Sequence, residues 1–142
     1  MPELRWRHSG NRVLLPLCVL RPGNPTDLTY FSATALLDTG ATVSGLGPKP
    51  IQALGLESYG KNRLKSATDE KFVEYYVFRV GFLARSERAE DSHTPALPFT
   101  FDEIDGFSWS RFADFDVILG MDVLRKCDLS MDRDKRCVLR FG

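Results

Sequence analysis

Apolar positions fall in short runs bounded by turn residues, which is the pattern of strands rather than long helices. Val13 to Leu20 reads as a first strand. Pro16 cannot donate a ladder hydrogen bond, so this strand belongs at an edge or carries a bulge. Arg21 to Asp27 is turn chemistry throughout. Leu28 to Leu37 returns as a second strand and delivers Asp38. Gly45-Leu46-Gly47-Pro48 then breaks the chain. Pro48 to Leu54 forms a short helix, with its prolines in the first turn and Gly55 as its stop. Lys61 to Lys65 and Lys71 to Phe82 read as a long hairpin with the tip Ser66 to Glu70. Its second arm is the strongest β signal in the chain.

The rest is less regular. Residues 84–95 form a charged excursion, and Ala96 to Phe101 holds a short strand. Asp102 to Asp114 reads as an irregular stretch anchored by Ile104, Phe107, Trp109 and Phe112. Phe115 to Leu119 is an apolar strand running into Gly120, and Met121 to Leu124 starts a helix. Asp128 to Asp132 and Cys137 to Phe141 are two closing strands. Residues 1–10 read as an exposed arm that ends in a short strand. No internal repeat is present, and 142 residues fit one domain over 1–142.

Composition narrows the function classes. Lys+Arg and Asp+Glu number 19 each, so charge makes no case for a nucleic-acid or membrane partner. No apolar run reaches bilayer length, and the polar N-terminus lacks a signal-peptide core. Cys18, Cys127 and Cys137 are odd in number and widely spaced, which reads as reduced thiols of a cytoplasmic protein. His8 and His93 lie in polar surroundings, away from any Cys or Ser nucleophile in sequence. Metal-dependent and Ser/Cys hydrolase readings are weakened accordingly.

The chemistry concentrates in Ala35-Leu36-Leu37-Asp38-Thr39-Gly40-Ala41-Thr42-Val43. An apolar strand that ends in a carboxylate holds it rigidly at the mouth of a cleft. Gly40 allows close backbone approach, and Thr39 supplies a hydroxyl that donates and accepts. Asp-Thr-Gly occurs by chance in roughly a few per cent of chains this long, so the tripeptide needs its context. That context is the order Asp-Thr-Gly-Ala, helix, long hairpin, Ile118-Leu119-Gly120, helix, over residues 13–126. The arrangement resembles the retropepsin-like (retroviral-type) aspartic proteases.

The resemblance implies an all-β fold with short helices, a retropepsin-like closed β-barrel with one lobe per chain. It implies an aspartic endopeptidase in which two Asp38 carboxyls, one from each subunit of a homodimer, activate one water. The Gly40 amide would bond the carboxylate, Thr39 would lock the two loops together, and Ala41 would leave room for substrate. Ile118, Leu119 and Gly120 would form the supporting loop. An extended peptide or protein substrate would lie under hairpin flaps contacting it through Ala67, Thr68 and Asp69. Cofactors and metal are not needed. The final strand is a candidate for pairing across the two-fold axis; a third strand of the same chain would serve it equally. The flap tip departs from the viral pattern by lacking paired glycines. The rival is a dimeric interaction module of the same fold; a two-carboxylate glycosidase has less support, because it needs a second catalytic acid and Asp102, Glu103 and Asp105 read as part of a solvated loop.

Overall fold

The computed structural model describes residues 2–65, 70–83 and 97–142. Its elements are β1 Glu3–Arg7, β2 Leu14–Leu20, β3 Tyr30–Leu37, β4 Gly45–Leu46, α1 Pro48–Leu54, β5 Gly60–Lys65 and β6 Glu70–Phe82. They continue with β7 Phe99–Thr100, β8 Ile104–Ser108, β9 Val117–Leu119, α2 Met121–Leu124, β10 Asp128–Met131 and β11 Arg136–Arg140. The fold is all-β with two short helices among the described residues.

The main sheet closes on itself in its pairings. β2 pairs antiparallel with β3, and β3 runs parallel to β9. β9 pairs with β4, β4 runs parallel to β8, and β8 pairs antiparallel with β6. β6 then returns to β2 through Cys18 to Leu20. Inside this ring lie Leu15, Val19, Ala35, Leu46, Phe78, Val80, Val117 and Leu119, all essentially buried. Burial of this apolar surface is the main term holding the ring together. Pro16 sits opposite Thr34 on β3, outside the stretch of β2 that pairs with β6. The hydrogen missing from its nitrogen therefore costs no ladder bond on the far side, as expected of an edge position.

Two segments differ from the sequence-based expectation. Asp102 to Asp114 contains a true strand, β8, which lies between β6 and β4 in the main sheet. Asp105-Gly106 reads locally as a turn, but Gly106 serves a close approach instead. A side chain there would come within 2.5 Å of the Phe78 ring and 2.6 Å of the Ser44 carbonyl. The second difference is at the chain start, where Glu3–Arg7 is a paired strand. β1 pairs antiparallel with β11 from Glu3↔Arg140 to Arg7↔Arg136. β10 pairs with the other edge of β11. The last strand is thus flanked on both sides by its own chain, the intrachain alternative left open above.

Phe141 closes this small sheet onto the core. Its amide donates to the Pro2 carbonyl at 3.1 Å, and its ring packs against Phe82, Phe99 and Phe101. The three cysteines carry free thiols, and burial pushes those of Cys18 and Cys127 up to about 11. No helix among the described residues is long and apolar enough to cross a membrane.

Candidate active site

β3 ends at Leu37, and Asp38 follows directly. The strand's last three residues run parallel to β9 in the register Ala35↔Val117, Leu36↔Ile118, Leu37↔Leu119. The Asp38 amide continues that ladder by donating to the Leu119 carbonyl at 3.0 Å. The chain then turns tightly, with the Ala41 amide donating to the Asp38 carbonyl at 3.2 Å. The Gly40 amide donates to Asp38 Oδ1 at 2.9 Å. Asp38 is half-buried, while Thr39 and Gly40 are exposed. Among the described residues, the Thr39 hydroxyl has no hydrogen-bond partner, so it is presented outward with its loop.

The loop is braced from behind. Ile118, Leu119 and Gly120 lie beside it, and the Met121 amide donates to the Ala41 carbonyl at 2.8 Å. Gly120 is required here, because a side chain would meet the Val43 and Ala41 carbonyl oxygens at 2.7 and 2.9 Å. Backbone oxygens cannot swing aside, so this contact demands glycine rather than merely tolerating it.

Sequence reasoning did not single out two further residues, Ser44 and Asp122. Ser44 is wholly buried. Its amide donates to Asp122 Oδ2 at 2.9 Å and its hydroxyl to Asp122 Oδ1 at 2.6 Å. The same hydroxyl accepts from the Gly120 amide at 3.0 Å. Asp122 Oδ1 also accepts from the Val123 amide at 3.0 Å. One carboxylate therefore joins the chain leaving the Asp38 loop to the first turn of α2. The partners lie 78 residues apart. A Ser after Val and an Asp in a first helical turn are too common for either to announce the pair. Buried polar groups need partners, and here each satisfies the other.

The hairpin expected as a flap is present as β5 and β6, paired from Gly60↔Tyr75 to Lys65↔Glu70. Its expected contact residues Ala67, Thr68 and Asp69 lie outside the described residues. Among the described residues, no group of three or more His, Cys, Asp and Glu side chains is placed to hold a metal ion. Asp102, Glu103 and Asp105 are exposed, and Glu103 accepts from the Gly23 amide at 2.6 Å.

No family model matches the chain, and the comparison with curated proteins finds no match. Among solved structures it is similar to a retropepsin-like aspartic protease from Rickettsia conorii, at 16% identity and a TM-score of 0.61. The likeness covers 98% of this chain and 90% of the other. At that identity it shows the fold, which is retropepsin-like.

Proposed function

We propose that this chain is a single-domain aspartic endopeptidase that works as a homodimer. Each subunit supplies Asp38, and the two carboxyls share one proton across one water. Two carboxyls a few ångströms apart cannot both ionise cheaply, so the pair titrates as a unit with one member kept protonated. The ionised member takes the proton of the attacking water, and the protonated one polarises the scissile carbonyl. The outward Thr39 hydroxyls would bond across the two loops. An extended peptide would lie in the groove and add strand-like hydrogen bonds beneath the β5–β6 hairpins.

The observation that carries this reading is the bracing of Asp38. Its carboxylate accepts from the Gly40 amide, and its loop is tied to Leu119, Gly120 and Met121. Such fixation of a charge at a half-buried position is what preorganised acid–base chemistry requires. The test is cleavage of casein over pH 3–7 by the chain and by Asp38→Asn. Cleavage with an acid-side optimum is expected, reduced at least about a thousandfold in the variant. Equal cleavage by both would sink the assignment of Asp38.

A second reading, an interaction module of the same fold, draws on one observation. β11 has both edges paired within its own chain, so the chain-end sheet needs no partner to complete it. A chain that sediments as a dimer at concentrations where it is assayed, and cleaves nothing, would favour that reading.

A further inference from the structure

A cleft of about 400 Å³ lies between the base of the β5–β6 hairpin, helix α1 and the end of β8, and no residue of the Asp38 loop is among those that line it. Ile51 and Gln52 of α1 line one side, Glu74 and Tyr76 of β6 another, and Trp109 and Ser110 the third. Its volume is within the range of sites that hold small molecules, about 300–1,000 Å³.

The aromatic wall is built rather than incidental. The Trp109 amide donates to the Leu46 carbonyl at 3.1 Å. Its ring lies against Gly47, where a side chain would come within 3.0 Å of the indole. Phe107 and Phe115 flank it at centroid distances of 6.2 and 5.8 Å. The indole is therefore held in one orientation. Tyr76 is almost wholly buried beneath the cleft. Burial, then the neighbouring Glu74 carboxylate, raises its phenol above the ordinary value, so it stays neutral.

Among the described residues that line the cleft, Glu74 is the only charged side chain. It is exposed, and Ser108 fixes its backbone by donating to its carbonyl at 2.7 Å. Lys61 stands opposite Glu74 in the hairpin ladder, yet among the described residues no ion pair joins them. A lone carboxylate beside a fixed indole face, with Gln52 and Ser110 at the rim, complements a cation on a flat, partly apolar stem. Guanidinium fits better than ammonium, because it stacks on an aromatic face while donating in its plane to a carboxylate.

We propose that this cleft is a secondary peptide site that takes an arginine side chain, between Trp109 and Glu74. As a contact with substrate, it rests on the peptidase reading above and implies a preference for substrates with an arginine outside the scissile pair. The binding itself does not depend on hydrolysis.

The test is a titration of the ¹⁵N-labelled Asp38→Asn chain with acetyl-Gly-Arg-Gly-amide, and with the same peptide carrying citrulline. The Trp109 indole resonance reports the cleft, and Trp6, on β1 in the other sheet, is the internal control. The arginine peptide should move the Trp109 signal saturably and leave Trp6 in place. The citrulline peptide, equal in shape but uncharged, should bind about three- to fivefold more weakly, the scale of one exposed ion pair. Glu74→Gln should erase the difference between the two peptides. The proposal is overturned by equal binding of both peptides, by no shift at millimolar concentrations, or by an arginine preference that survives in Glu74→Gln. Casein cleavage by the parent chain is scored separately, so failure of the cleft and failure of Asp38 are distinguishable.

Discussion

The Asp38 loop and the β5–β6 hairpin are held in opposite ways. The loop is tied at every turn to buried partners: the Leu119 carbonyl, the Gly120 backbone, and through Ser44 the Asp122 carboxylate. The hairpin changes character along one strand. Phe78 to Phe82 of β6 are buried, whereas Glu70 to Phe72 are exposed, Phe72 by 66%. Near that exposed end the described residues add surface contacts to the ladder. Arg63 pairs with Glu70 at 3.3 Å and sits 5.6 Å from the Phe72 ring centroid. Exposed contacts of this kind contribute at most about 1 kcal/mol each. Asp38, the carboxylate of the proposed function, is itself half-buried but is backed by core strands. Under the proposed function the hairpin would have to part from the body to admit substrate, and few buried contacts at its exposed end suit that.

That contrast breaks most sharply at Gly120. Gly120→Ala forces a methyl against two backbone oxygens and should cost about 2–4 kcal/mol. Chemical denaturation measures it, and casein cleavage below the transition should fall further than stability alone explains. A neutral Gly120→Ala would mean that the loop is not braced as described. Next is Asp122→Ala, which strands the buried Ser44 amide and hydroxyl and should cost about 1–3 kcal/mol. Asp122→Asn keeps an acceptor and should recover part of that loss in the same denaturation series.

Phe72→Ser probes the other side of the comparison. Stability should change by no more than about 0.5 kcal/mol, because the ring is largely in water. A thermal shift as large as that of Gly120→Ala would show the exposed end of the hairpin packing as core. The smallest effect is electrostatic and lies in the chain-end sheet. The backbone amide of Arg136, then that of Asp134 and the Arg136 guanidinium, hold the Asp132 carboxyl below its ordinary value. Its folded pKa is depressed, so its contribution is present above the unfolded value and is lost as pH falls through the folded one. Asp132→Asn should therefore flatten the decline of melting temperature below about pH 4 and leave the cleavage profile near its optimum unchanged. An unaltered acid slope would mean that this carboxyl's bonds contribute nothing to stability.

Much of the frame was legible from local pattern. Alternation and turn residues placed β2, β3, the hairpin arms and α1 within a residue or two of their bounds. Ile118-Leu119-Gly120 marked β9 and its stop, because an apolar run into glycine before a helical start is a local signal. β8 was not legible: Asp105-Gly106 carries turn chemistry, and only pairing with β6 and β4 makes it a strand. Nor was the pairing of Glu3–Arg7 with the chain end, since two polar-flanked segments at opposite termini share no local sign of contact.

The sequence by itself determined where strands begin and end, and that a carboxylate follows an apolar strand into a glycine turn. Backbone preferences and apolar periodicity are local, so each is written in the residues that obey it. Only the tertiary structure decided what stands behind that carboxylate and who completes β11. Those choices depend on partners tens of residues away, Ser44 with Asp122 and Leu4 with Leu139. Buried polar groups and apolar strand edges require some partner, but the requirement does not say which, until packing brings one within reach.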